Sequence, residues 1–99
     1  MYMKISYYAV LQHDDDGLWV YFPDLPGCFS CGDDDEHAEK MAKEALELYL
    51  HDMAVTQLPN PIDVDNAILK DNQKAVLITA DLQVKKGKLF SDGIVYYSD

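Results

Sequence analysis

Trp19-Val20-Tyr21-Phe22-Pro23-Asp24-Leu25-Pro26-Gly27-Cys28-Phe29-Ser30-Cys31-Gly32-Asp33 decides how this chain folds. An apolar strand, Leu18 to Phe22, runs into a segment with two prolines and a glycine within five residues. Each proline fixes its own φ and biases the preceding residue toward extended geometry, so Phe22 and Leu25 are kept out of helix. Asp24 and Gly27 suit the tight bends between them. A short extended piece, about Gly27 to Cys31, follows and Gly32 ends it. Asp33 then opens a helix, capping its first turn, with Glu36 reaching back three residues later in an Asp variant of the capping box. The stretch therefore converts a hairpin into a third strand and launches the main helix.

Upstream, Ile5 to Gln12 alternates as a strand, with Tyr7, Ala9 and Leu11 on one face and Tyr8 and Val10 on the other. His13-Asp14-Asp15-Asp16-Gly17 is turn chemistry, and Leu18 to Phe22 returns as the second strand. Downstream, Ala38, Met41, Ala42, Ala45, Leu46, Tyr49 and Met53 recur at three- and four-residue steps, which predicts a helix from Asp34 to about Ala54. Leu48 and Leu50 lie partly off that stripe, either bordering a wide core or forming a subunit or partner contact. Pro59-Asn60-Pro61 halts any helix, and Asp63 to Leu69 suits at most a short helical turn. Ala75 to Leu82 is a near-continuous apolar run of buried-strand length. Lys85-Lys86-Gly87-Lys88 reads as a loop, and Ile94-Val95-Tyr96-Tyr97 has strand propensity. The sum is an α+β chain of order β-β-β-α-β, a three-stranded antiparallel meander followed by one long helix and a further strand.

Ninety-nine residues make one domain with one core. No apolar run approaches the ~20 residues of a bilayer span, and the N-terminus lacks a secretion-signal layout, so a cytoplasmic location is the expectation. Eighteen acids stand against eight lysines with no arginine, a net charge of −10. Arginine and a basic surface are what nucleic-acid backbones select, so the chain is not expected to hold DNA by itself, and RNA binding is disfavoured. A basic partner fits this charge. The imbalance lies in residues 1–83; the segment 84–99, with three lysines and two acids, reads as a separate tail.

Cys28-x-x-Cys31 lacks the second pair of ligands that zinc requires, and it precedes a glycine on a strand where a thioredoxin-type motif sits at a helix start. Two buried or half-buried thiols are expected. His13, His37 and His51 each stand alone as surface residues, without the spacing of a catalytic triad. The acidic clusters Asp14–Asp16 and Asp33–Glu36 lack the alternation of a calcium loop. No metal, cofactor or catalytic residue is assigned.

Phe22-Pro23-Asp24-Leu25-Pro26-Gly27-Cys28, then Ser30, Gly32-Asp33, Glu36, Ala38, Ala42 and Ala45, resembles the N-terminal domain of HicB antitoxins. The Tyr8 strand, the Asp-Gly turn and the strand ending Ala80-Asp81-Leu82 extend the resemblance over about Ser6 to Gln83. It implies a truncated ribonuclease H-like fold that binds and neutralises HicA, a small basic RNA-cleaving toxin. Asp34 replaces the usual Ser or Thr, and Glu36-His37 replaces a Glu pair. The family's C-terminal DNA-binding domain has no room after Gln83, so operon repression by this chain is not expected. The non-enzymatic reading, an antitoxin that occludes its toxin, stands beside an RNA-binding or regulatory module of the same fold. Partner contacts are assigned to Asp14, Asp15, Asp16, Trp19, Asp24, Leu25, Phe29, Asp33, Asp34, Asp35 and Glu36. Large side chains on both strand faces imply a homo-oligomer, a dimer or tetramer, with Ile94, Val95, Tyr96 and Tyr97 as contacts.

Overall fold

The computed structural model describes residues 1–61 and 69–92. The helical turn expected over Asp63 to Leu69 falls almost wholly outside them, and the tail Ile94 to Tyr97 entirely so. The chain runs β1 (Tyr2–Asp14), β2 (Gly17–Tyr21), β3 (Phe29–Gly32), α1 (Asp35–Leu50), a 3-10 turn (Val55–Gln57), β4 (Gln73–Lys85) and β5 (Lys88–Phe90). The five strands form one antiparallel sheet in the order β3-β2-β1-β4-β5, with α1 laid across one face. This is the α+β order the sequence implied, with both long strands longer than expected. β1 pairs with β4 from Tyr2↔Gln83 to Gln12↔Gln73. Their outer ends are exposed, and alternation marks a strand only where one face is buried.

The Pro-Asp-Leu-Pro-Gly segment is two consecutive β-turns. The Leu25 N–H donates to the Phe22 carbonyl at 3.0 Å, and the Cys28 N–H donates to the Leu25 carbonyl at 2.9 Å. Each turn has proline in its second position, and Gly27 takes φ +84°, the left-handed geometry a type II turn demands third. Phe22, Leu25 and Cys28 all point into the core as a result. At the opposite edge, Lys86 and Gly87 (φ 52° and 75°) make a two-residue hairpin turn where the sequence suggested a loop.

The helix is shorter than its periodicity implied. Asp52 at φ 69° ends it, and the chain turns back so that Ala54 bridges Lys88 and the Leu89 N–H donates to the Met53 carbonyl at 2.9 Å. That returning segment covers the edge of β5, which satisfies backbone groups an extra helical turn would leave unpaired. Ala38, Ala42, Leu46 and Leu50 form the fully buried stripe, so Leu50 is a core residue, while Leu48 is exposed. They meet Ile5, Tyr7, Ala9 and Leu11 of β1 and Ile78, Ala80 and Leu82 of β4. Burying each leucine contributes about 1.5–3 kcal/mol.

The start of the helix also differs by one residue. Asp34, not Asp33, is the N-cap, accepting from the His37 N–H at 2.7 Å. The side chain that reaches back is His37, whose Nδ1 accepts from the Asp33 N–H at 3.0 Å; Glu36 does not fill that role. Either aspartate has the chemistry of a cap, and packing selects between them. Gly32 lies so close to the helix that a Cβ on it would sit 2.5 Å from the Ala38 nitrogen.

Asp35 locks the same turn onto the sheet. It accepts from Lys74 of β4 and hydrogen-bonds the His13 ring of β1 at 2.7 Å. Lys74 first, and His13 after it, hold the Asp35 carboxyl below the usual carboxylate range; Asp35 in turn raises Lys74.

Two outcomes follow. Gly32→Ala, a change that commonly stabilises by shrinking the unfolded ensemble, is expected to destabilise here by about 1–3 kcal/mol or more, because the new methyl meets helix backbone. Urea unfolding measures it, and a change below about 0.5 kcal/mol means that the helix shifts freely. For Asp35, a depressed folded pKa means its contribution is full above the unfolded carboxyl pKa and disappears as pH falls through the folded value. The raised Lys74 contributes fully below the ordinary lysine pKa and is lost as pH climbs through its own folded value. The melting-temperature gap between wild type and Asp35→Asn should therefore be level from about pH 5 to about pH 9 and close below about pH 4. An unchanged gap in acid contradicts the clamp.

Candidate functional site: an acidic depression and an aromatic sheet face

The two acidic clusters, well apart in sequence, converge. The β1–β2 turn is closed by the Asp14↔Gly17 pair, and the β3–α1 junction lies beside it. Together they line an open depression of about 680 Å³ bounded by His13, Asp14, Asp15, Asp33, Asp34, Asp35 and Glu36. The carboxylates divide by duty. Asp34 caps the helix, Asp35 holds Lys74 and His13, and Asp14 accepts from Gln12 and Asn72. Asp15, Asp16, Asp33 and Glu36 are exposed; Asp33 has His37 Nδ1 3.6 Å away. Among the described residues no three His, Cys, Asp or Glu side chains are grouped to hold a metal ion. What the cluster can do is project a negative field, in a place where the positive end of the helix dipole partly offsets its self-repulsion.

The remaining partner assignments scatter. Leu25 is fully buried beneath its turn, so it anchors the core and presents no surface. Asp24 lies near the Tyr7 phenol, whose pKa is raised first by burial and second by that carboxylate. Trp19 and Phe29 stand on the sheet face opposite the helix, 43% and 66% exposed. Strand register sets Tyr8, Tyr21 and Leu77 on that same face. Lys74 escaped sequence reading because it is 39 residues from Asp35 and carries no local pattern. Leu77 was hidden inside an apolar run that looked buried throughout; the alternating burial of β4 separates its faces.

The cysteines part company. Cys28 is buried, its Sγ 3.6 Å from the Ala45 carbonyl, and burial pushes its thiol up to about 11. Cys31, expected at least half-buried, is exposed because alternation along β3 turns it outward with Phe29. The histidines are not idle surface residues either. His13 and His37 bind as described, and His51 Nδ1 accepts the Ser91 N–H at 2.8 Å with its ring edge-on to Phe90.

Several known proteins resemble this chain. A UPF0150 protein of Helicobacter pylori strain J99 is 42% identical over 50 residues, covering 50% of this chain and 69% of that protein. An uncharacterized 14.9 kDa protein from the rep-hol intergenic region of Haemophilus phage HP1 is 32% identical over 75 residues, covering 74% of this chain and 56% of the phage protein. Among solved structures, a toxin-antitoxin complex from Streptococcus pneumoniae contains a chain of the same fold, at TM-score 0.69 and 22% identity, covering 79% of this chain and 69% of that one. A HicA3 and HicB3 toxin-antitoxin complex contains another, at TM-score 0.52 and 27% identity, covering 77% and 95%. Residues 7–90 match the family described as the HicB_like antitoxin of bacterial toxin-antitoxin systems, a span that holds the double turn, the helix and all of the sheet but the start of β1. The chain belongs to the HicB-like antitoxin family.

Proposed function

We propose that this protein neutralises a small basic RNA-cleaving toxin of the HicA type by covering it, without chemistry of its own. The observation that carries the reading is the convergence of Asp14 and Asp15 with Asp33–Glu36 on one open depression. Family membership and the likeness to a chain in a HicA3 and HicB3 complex support the same partner class. A basic protein is attracted by the net charge of −10 and oriented by its densest patch. Apolar contacts then hold the bound state, since charges at a rim change association more than dissociation.

The RNA-binding alternative would use Lys85, Lys86 and Lys88, which gather at the β4–β5 turn. Three lysines, with Lys88 3.8 Å from Asp52, make a small basic patch on an acidic protein. Titration with RNA or promoter DNA at about 150 mM salt should give no binding. Saturable binding there favours the alternative.

Amide substitution at Asp15, Asp16, Asp33 and Glu36 spares the cap and the clamp. Association with a HicA-type toxin should slow by about tenfold at low salt, with dissociation changing much less. The difference should vanish as salt rises. Toxin association that is independent of salt and of these four residues overturns the steering role.

A further inference from the structure

We propose that the outer edge of β3 is a docking strand, on which an extended segment of the basic toxin adds as a sixth strand; the proposal rests on the toxin-neutralising role. Each residue of an antiparallel strand turns both backbone groups toward one neighbour, and the direction alternates along the chain. The Phe22 N–H donates to the Cys28 carbonyl at 3.1 Å, which sets that alternation, so Ser30 and Gly32 bond to their β2 partners Val20 and Leu18. Phe29 and Cys31 therefore direct their N–H and C=O groups away from the sheet, and no described residue bonds them there.

The two edges of the sheet differ in this respect. At β5 the Leu89 N–H donates to the Met53 carbonyl, the Val55 N–H donates to the Gly87 carbonyl at 2.8 Å, and Lys88 adds a charge. Among the described residues β3 has no such cover, and Phe29-Ser30-Cys31-Gly32 contains neither a proline nor a charge to discourage pairing. Edges of this kind recruit strands, and main-chain hydrogen bonds then supply the affinity.

What flanks the edge selects the strand. At one end Gly27, Cys28, Phe29, Ala45, Leu48 and Tyr49 line an apolar slot of about 180 Å³, with Leu48 65% exposed. At the other end Asp16 and Asp33 stand with Trp19 and Cys31 around an opening of about 240 Å³. Cys28 is buried on the helix side, whereas Cys31, three residues on, is exposed on the opposite face. An added strand thus sets an apolar side chain beside Cys28 and a lysine or arginine beside Cys31, about 10 Å apart along the strand. A second copy of β3 brings no cation to Asp16 and Asp33, and RNA brings no ladder of amides. A basic protein brings both.

Amide hydrogen exchange of the full chain, alone and with a HicA-type toxin, provides the test. Alone, the Phe29 and Cys31 amides should exchange about 100-fold faster than that of Ser30, and in the complex they should slow by at least about tenfold. Cys31→Pro deletes an outward N–H and no bond to β2, so it should keep the wild-type circular dichroism yet weaken toxin binding about tenfold. Cys31→Ser, which keeps the amide, should bind as the wild type does. A toxin complex in which both amides exchange as in the free chain overturns the proposal and leaves the toxin-neutralising role standing. Undiminished binding by a folded Cys31→Pro chain does the same. Slow exchange already present in the free chain also overturns it, giving the edge to a second copy. If no toxin complex forms, the proposal and the role on which it rests fall together.

Discussion

The close approach of β3 to α1, with Gly32 against the backbone of Ala38, is the constraint on which the rest of this structure depends. Any side chain at position 32 would lift the start of the helix off the sheet. With the helix held down there, Ala38 and Ala42 keep it close along its first turns, and Leu46 and Leu50 fill the space farther on. The same contact sets the helix register, which makes Asp34 the cap and leaves Asp35 within reach of Lys74 and His13. One small residue thus settles the first helical turn, the clamp to the central strands and the shape of the acidic depression.

The distribution of charge follows from that geometry. The β1–β2 turn and the helix start are brought together because β2 and β3 are adjacent and antiparallel, so the β1–β2 turn and the end of β3 lie at one end of the sheet. Acidic residues that serve locally as turn formers and caps thereby sum into a single field. The opposite face of the sheet is nearly free of net charge and rich in aromatics. The molecule therefore has two surfaces of different character: one acidic and open, the other nearly neutral and aromatic.

Much of this was legible before any coordinates. The double turn over Phe22 to Cys28 followed from two prolines and a glycine, whose allowed φ values leave few alternatives. The buried helix stripe followed from four-residue spacing of small and apolar side chains. The family resemblance rested on the same residues and is matched over residues 7–90. Less legible were the ends of elements. The helix stops at Leu50 because the chain turns back to pair with β5, and β1 gains residues from pairing with β4, both contacts between distant segments.

The sequence by itself determined the order of elements, the double turn, the apolar side of the helix and the sign of the charge. Each depends on local backbone preference or on simple composition, and both are properties of neighbouring residues. Only the tertiary structure decided which aspartate caps the helix, that Leu25 is buried, that Cys31 and Leu77 face outward, and that two acidic clusters form one surface. Those outcomes depend on strand register and on the approach of the helix to the sheet, and a shift of one residue in either would exchange the inner and outer faces.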